Sequence, residues 1–204
     1  MYMARYTSRS RFIPIILIIV IMVIAIVALV SLARAIFFSG GQTQNTAQVD
    51  TSRDSLLNTA EGHKVRMMVR GPIVADEKFN SYRITITPSS RTLTTYRGYL
   101  YTQIDSINLG NNVAAYDQFV HALDKANLPV GTALPKDKDS TLGVCATGRV
   151  YEYEIIDGDT TVKRLWTSTC KGSPGSLKAS ADQLTNLFVA QIPDANNALG
   201  KIRL

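Results

Sequence analysis

The chain has 204 residues, of which 46% are hydrophobic, and its 22 Lys and Arg against 16 Asp and Glu give a net charge of +6. Four of the arginines precede Ser39, so from there onward 18 basic residues face 16 acidic ones and the net charge is +2. A nearly neutral segment in which basic and acidic residues are interspersed lacks the basic patch of a nucleic-acid-binding protein. We therefore expect no nucleic-acid partner.

The most informative segment is an uncharged run of 22 residues from Phe12 to Ala33. A helix of about 20 apolar residues spans a ~30 Å hydrocarbon core, and only a helix satisfies the backbone polar groups of one segment there. We therefore predict a transmembrane anchor with its outer interface over residues 12–38, in contact with the lipid bilayer.

The charges that flank this run predict its orientation. Arg5, Arg9 and Arg11 lie in the short N-terminal tail, residues 1–11, whereas the other flank carries far fewer basic residues. The N-terminus is therefore predicted to be cytoplasmic and the remainder extracytoplasmic, as in a single-pass protein of the cell membrane. A signal peptide cleaved near Ala35 is the alternative, but the apolar run exceeds the 7–15 residues usual for such a segment, which favours a retained signal-anchor.

After the anchor, residues 39–50 are small and polar and predict a flexible linker, and residues 51–204 predict one extracytoplasmic domain. Hydrophobic periodicity and turn residues divide this domain into elements. The predicted elements are a short helix after Thr51, strands at 65–69, 82–87 and 91–97, a loop within 98–112, a helix over 112–127, a charged loop at 135–142, a hairpin at 149–166 and a helix over 176–191. The tail from Asp194 has no strong pattern and is expected to be loosely held.

The hairpin carries the sharpest local signal, because the pair Asp157–Gly158 favours a two-residue turn. If these two residues form the turn, Glu152 faces Lys163 and the only two cysteines, Cys145 and Cys170, face each other. Two cysteines outside the membrane most simply form a disulfide. A zinc site would need further Cys or His ligands, and none is nearby in the sequence, so we expect no metal.

The same register predicts one aromatic and basic face on this hairpin. Its members are Arg149, Tyr151, Tyr153, Arg164 and Trp166. Such a face is either core under a helix or an exposed recognition surface. The burial of Trp166 distinguishes the two, since a buried ring rules out the recognition surface.

These elements predict the fold class α+β, with one antiparallel sheet and helices packed on one face of it. A finer hypothesis is a duplicated ββα unit, in which Tyr82 to Ile86 matches Tyr151 to Ile155 and a helix follows each hairpin. Chance similarity between two amphipathic hairpins is the alternative.

No motif in the sequence points to catalysis. There is no nucleophile elbow, zinc-protease motif, phosphate loop or dinucleotide fingerprint, and Glu152 and Glu154 are expected to form a solvated ladder with Lys163 and Thr161. We predict that the protein is not an enzyme and uses no cofactor.

The expected function is a binding or assembly module of the cell envelope with a protein or envelope partner that the sequence does not identify. The alternatives are an envelope hydrolase, which predicts a pocket holding an acid or histidine with a displaced pKa, and a pilin-like filament subunit, which predicts packing between anchors.

Overall fold

The computed structural model describes residues 17–18, 20–26 and 51–204. Residues 17–18 and 20–26 are helical, and among the described residues no helix is long and apolar enough to cross a membrane. The rest of the predicted anchor, the linker and the basic tail with its three arginines lie outside the described residues. The chain divides into two units between Val49 and Asp50, and all the strands described lie in the second unit.

From residue 51 onward the chain forms an α+β domain built on one six-stranded, fully antiparallel sheet of order β4-β3-β2-β1-β5-β6. The strands are β1 (His63–Arg70), β2 (Asn80–Ile86), β3 (Ser90–Arg97), β4 (Thr102–Gly110), β5 (Val150–Asp157) and β6 (Thr160–Ser168). The helices are α1 (Ser52–Leu57), α2 (Val113–Lys125), α3 (Ala181–Val189) and α4 (Ala195–Leu199), with a 3₁₀ turn at Asp76–Lys78.

One face of the sheet, here called the helix face, packs against the helices. Strand alternation sends every second side chain to this face, and the hydrophobic ones are buried there. They include Val65, Met67 and Val69 of β1, Ile84 and Ile86 of β2, and Tyr151, Tyr153 and Ile155 of β5. The predicted arrangement of one antiparallel sheet with helices on its apolar face is confirmed.

The helices bury one apolar stripe each. Helix α2 begins after Asn112, whose side chain accepts a hydrogen bond from the backbone N–H of Ala115 and thereby caps the first turn. The last predicted helix is shorter than expected, because Ser180 caps α3 at its start. The tail is not loosely held: it forms α4 and buries Ala195, Ala198 and Ile202 in the same core.

The predicted hairpin register is wrong. Asp157 pairs with Thr160, so Gly158, with φ +56°, takes the first position of the two-residue turn. The register shifts again between Ile155 and Ile156, and Glu152 pairs with Trp166 rather than with a residue three positions earlier. Beyond this irregularity the total shift is three positions, and because side chains alternate with a period of two, this odd shift moves the β6 side chains from Lys163 onward to the opposite face.

Two further expectations need correction. Strand β4 occupies the segment predicted to contain a loop; it is a polar edge strand in which only Ile107 and Leu109 pack against the core. The hairpins β2–β3 and β5–β6 flank β1 on opposite sides with the same core face and strand direction, so they extend from β1 in opposite directions. Two copies of one ββα unit would have the same handedness. These two hairpins have opposite handedness, so the topology argues against the duplication.

Candidate functional site

The residues that alternate with the core positions form a second surface, here called the charged face. On β1 these residues are Arg66, Met68 and Arg70, and on β5 they are Glu152 and Glu154. Strand pairing places Arg66 opposite Glu154 and Met68 opposite Glu152. Since directly opposite side chains begin only ~4.5–5.5 Å apart, this register brings basic and acidic groups into contact.

Both glutamates of the charged face bind guanidinium groups. Arg66 Nε donates to Glu154 Oε2 at 2.5 Å, and Arg164 Nη2 donates to Glu152 Oε2 at 2.6 Å. Arg70 Nη2 lies 3.6 Å from the same Glu152 oxygen. Burial alone would lower the pKa of Arg164, but the hydrogen bond and charge of Glu152 raise it above its ordinary value. The expected ladder of these glutamates with lysine and threonine is therefore wrong.

The segment between α2 and β5 folds over one part of the charged face. Arg164 Nη1 donates to the backbone oxygen of Asp139 at 3.0 Å, and Trp166 Nε1 donates to Asp139 Oδ1 at 3.0 Å. Arg70 donates through Nη2 to the hydroxyl of Thr141. This segment is a loop, as predicted, and Lys136, Asp137 and Lys138 are exposed, but Asp139 and Thr141 are bound to the sheet.

A disulfide anchors this loop. Cys145 and Cys170 are bonded, with their Cα atoms 5.3 Å apart, so the predicted pairing is confirmed. The predicted register did not produce it, because both cysteines lie beyond the paired ends of β5 and β6. The bond closes a small second hydrophobic cluster on this side of the sheet, formed by Cys145, Val150 and Trp166 with Leu134, Val144 and Cys170 around them.

Arg83 on β2 differs from the other arginines of the charged face. Its guanidinium carbon lies 5.3 Å from the centroid of the Tyr96 ring, a cation–π distance. Its Nε is buried, and among the described residues this atom has no hydrogen-bond partner. A buried donor without a partner is costly, which favours a group that accepts a hydrogen bond from it.

These side chains surround a cavity of about 260 Å³, here called the arginine cavity. Its lining residues are Arg66, Met68, Arg70, Arg83, Tyr101, Thr141, Glu152, Glu154 and Arg164. Four guanidinium groups face two carboxylates, so the lining carries an excess of positive charge. Arginine presents a planar set of donors that matches carboxylate and phosphate oxygens, and the cavity is therefore suited to an anionic group.

A second cavity of about 410 Å³ adjoins the first and is mostly apolar; we call it the apolar cleft. Arg70, Tyr101 and Thr141 line both cavities. The remaining lining residues of the apolar cleft are Gly71, Ile73, Phe79, Tyr99, Leu142, Gly143, Val144 and Val150. The two cavities are thus neighbouring parts of one concave surface.

The five residues of the predicted aromatic face do not lie together. Tyr151 and Tyr153 are buried on the helix face, and the guanidinium of Arg149 donates to the backbone oxygen of the C-terminal residue at 3.1 Å. Arg164 and Trp166 lie on the charged face, where Trp166 is only 3% exposed. The buried ring excludes the alternative of an exposed recognition surface around Trp166, and of the five residues only Arg164 lines the arginine cavity.

The histidines lie elsewhere. His63 Nε2 is 3.4 Å from Asp157 Oδ1 at the start of β1, and His121 Nε2 is 3.6 Å from Asp117 Oδ1 on α2. Neither lines the arginine cavity. Within the described part of the chain, no three His, Cys, Asp or Glu side chains are grouped so that they could hold a metal ion.

Sequence reasoning singled out Arg164, Glu152 and Glu154 but missed the other residues that form the site. Arg66 and Arg70 alternate with apolar residues in β1, and Arg83 does the same in β2, so a charged second face was visible in the sequence. Its concave shape was not, because that depends on pairing between strands distant in sequence and on the loop that carries Thr141.

Comparison with known proteins adds no family to this description. No protein-family model matches the chain, and no curated protein is significantly similar to it. A function for this chain therefore has to rest on its sequence and on the geometry of the described residues.

Proposed function

We propose that the protein is a binding module of the cell envelope, carried on a single-pass N-terminal anchor with its domain on the extracytoplasmic side. Its ligand-binding site is the arginine cavity on the charged face, and the ligand presents an anionic group. No catalytic step is part of this proposal.

The location is supported by three observations. The uncharged run from Phe12 to Ala33 is long enough to span a bilayer, and the basic tail before it favours a cytoplasmic N-terminus. The disulfide between Cys145 and Cys170 is typical of a domain that folds in an oxidising compartment.

The observation that carries the binding function is Arg83. It lies in a cavity with more guanidinium than carboxylate groups, and its buried Nε has no partner among the described residues. An anion bound there would satisfy this donor and offset the excess charge.

Binding is favoured over hydrolysis by the state of the two carboxylates. Glu152 and Glu154 both accept hydrogen bonds from arginines, at 2.6 and 2.5 Å, which occupies the groups that a hydrolase would use as acid and base. The described residues offer no observation that favours a pilin-like subunit.

The test is an NMR titration of the purified full-length chain in lipid nanodiscs with succinate and with inorganic phosphate. We expect the Nε–H resonance of Arg83 to shift on binding, and Arg83→Gln to weaken the affinity by about tenfold or more, because a charge-assisted hydrogen bond contributes ~1.5–3 kcal/mol.

Arg97→Gln is the matched control, because Arg97 is exposed on the neighbouring strand and the substitution removes the same charge without altering the cavity lining. It should retain the affinity within about twofold. If neither anion shifts the Arg83 resonance, or if both variants weaken binding equally, the proposed site is wrong.

The location has its own test. In sealed cells, an externally added protease should cleave the domain after residue 51 and leave the N-terminal tail intact. Protection of the domain until the membrane is permeabilised would refute the proposed orientation.

A further inference from the structure

The apolar cleft beside the arginine cavity has an unusually exposed hydrophobic rim. Leu142, which lines the cleft, is 84% exposed, and Leu100, which lies between the lining residues Tyr99 and Tyr101 in the β3–β4 turn, is 92% exposed. Ile73, Tyr99 and Tyr101 add further exposed apolar surface around the cleft. Single exposed apolar residues are ordinary, but a cluster around a cleft is typical of a binding surface.

The aromatic part of this rim is held in place by specific contacts. The carboxylate of Asp76 accepts a hydrogen bond from the backbone N–H of Tyr99 at 2.8 Å. The Tyr99 hydroxyl donates to the backbone oxygen of Val74 at 2.7 Å, and its ring stacks on Phe79 with centroids 4.2 Å apart. A ring fixed before binding loses little conformational entropy when a partner contacts it.

Tyr101 connects the two cavities. It has a left-handed backbone conformation, with φ +56°, which is costly for a residue with a side chain. Its ring meets Tyr96 edge to face at 5.9 Å, and Tyr96 in turn lies against Arg83. The strained residue thus lines both the arginine cavity and the apolar cleft, so one ligand can contact both.

Resting on the proposed function, we propose that the arginine cavity and the apolar cleft together bind a polypeptide segment of a partner protein, in which an acidic side chain stands close to an aliphatic or aromatic one. The acidic group occupies the cavity beside Arg83, and the apolar side chain occupies the cleft between Ile73 and Leu142. The excess of guanidinium groups supplies the charge complementarity for this partner.

A polypeptide is favoured over a small ligand by the extent of the surface. Leu100 lines neither cavity and is 92% exposed, and Leu142 lines the cleft but is 84% exposed, so a molecule confined to the cavities would leave most of their surface in water. Tyrosine and arginine are also the residue types that most often dominate the energy of protein–protein contacts.

The experiment uses blocked peptides in which one Glu and one Phe are separated by zero to three Gly or Ser residues, with matched sets carrying Gln for Glu or Ser for Phe. Binding to the full-length chain in neutral lipid nanodiscs is measured by calorimetry alongside succinate. At one spacing at least, we expect the Glu–Phe peptide to bind about tenfold or more tightly than its Ser-for-Phe match, the scale expected for burying one such side chain.

Variants assign that gain to the cleft. Ile73→Ser with Leu142→Ser should abolish the gain from Phe and leave succinate binding unchanged. Val130→Ser, which removes an exposed aliphatic side chain that does not line the cleft, should leave both unchanged.

The outcomes separate the two proposals. If succinate and every Glu peptide bind alike, the polypeptide inference is overturned while the anion site stands. If nothing binds, both fail. Self-association that Leu142→Ser abolishes, or binding to anionic vesicles that competes with succinate, would replace the partner segment with a second copy or with lipid and would also overturn the inference.

Discussion

The two faces of the sheet use the same strands in different ways. On β1, Val65 and Met67 are buried under helices, while Arg66 between them binds Glu154 across the strand pair. The burial of apolar side chains stabilises a fold and is non-directional. For a desolvated ion pair, the cost of removing the charges from water is nearly as large as their mutual attraction. We infer that the helix face supplies most of the stability and that the ion pairs of the charged face add little to it.

The largest effect should come from the helix face. Phe188 is fully buried and meets Phe119 edge to face with ring centroids 5.2 Å apart. Phe188→Ala should lower the free energy of unfolding by about 3–5 kcal/mol, because it removes a large ring and leaves a cavity. Urea unfolding of the domain's circular dichroism signal measures this loss.

Val113→Ala provides the control on the same side of the molecule, since Val113, the first residue of α2, is 54% exposed. It should change stability by less than about 0.5 kcal/mol. A Phe188→Ala variant no less stable than Val113→Ala would remove the distinction between the two faces.

The disulfide comes next and acts on the other face. Replacing Cys145 and Cys170 by Ser opens a connection with a sequence separation of 25 and should lower the free energy of unfolding by about 3 kcal/mol. The emission of Trp166, the only tryptophan, should also shift to longer wavelength, because the loop that covers it is no longer anchored.

The emission of Trp166 distinguishes a change in the loop that covers it from a general loss of stability. Phe188→Ala should leave the emission of the folded state unchanged, since Trp166 belongs to the cluster on the charged face. Unchanged emission in the Cys-to-Ser variant would mean that the loop is held by its hydrogen bonds alone.

A smaller effect should come from the Arg66–Glu154 pair itself. Glu154→Gln leaves a guanidinium with a weaker partner in a half-buried place and should cost about 1–3 kcal/mol. Replacing both residues by Met should cost less than that, because the desolvation of two charges disappears together with their attraction.

A double-mutant cycle in urea, made of the wild-type protein, Arg66→Met, Glu154→Met and the double Met variant, measures the coupling between the two residues, and Glu154→Gln is unfolded alongside them. If the double Met variant loses as much free energy of unfolding as Phe188→Ala, the charged face is itself a source of stability. The contrast between the two faces would then be wrong.

The elements that could be predicted from the sequence are those whose hydrophobic pattern lies within their own residues. The alternation from Tyr82 to Ile86 and the helical spacing after Asn112 each specify an element whose exposed and buried sides are set by its own residues. Strand β4 escaped prediction because it lies at the sheet edge and buries little, so its sequence carries hardly any apolar alternation.

The site could not be predicted, because its geometry depends on choices that a single segment does not determine. The position of Gly158 in its turn shifts the pairing by two residues and leaves the faces unchanged, whereas the extra residue on β6 makes the total shift odd and so decides the face on which Trp166 lies. Arg66 meets Glu154 only through pairing between strands more than eighty residues apart, as their separation of 88 shows.

The smallest expected effect concerns a charge pair at the rim of the helix face. Lys201 Nζ donates to Asp105 Oδ2 at 2.9 Å, and this hydrogen bond, with that from the Ser106 N–H and the lysine charge, lowers the pKa of Asp105. Because the folded pKa is below the unfolded one, the stabilisation is present above the ordinary value of about 3.9 and is lost as the pH falls towards the folded pKa.

Both groups of this pair are solvent-exposed, unlike those of the charged face, so screening by water and salt should keep the contribution small. An NMR titration of the Asp105 carboxyl carbon should give a midpoint below the ordinary one, and Lys201→Met should return it most of the way. The stability difference between the two proteins should then vanish as the pH falls below the folded pKa. If Lys201→Met leaves the midpoint in place, the Ser106 N–H and not the lysine holds the carboxylate, and charge at the rim of the helix face contributes nothing to its stability.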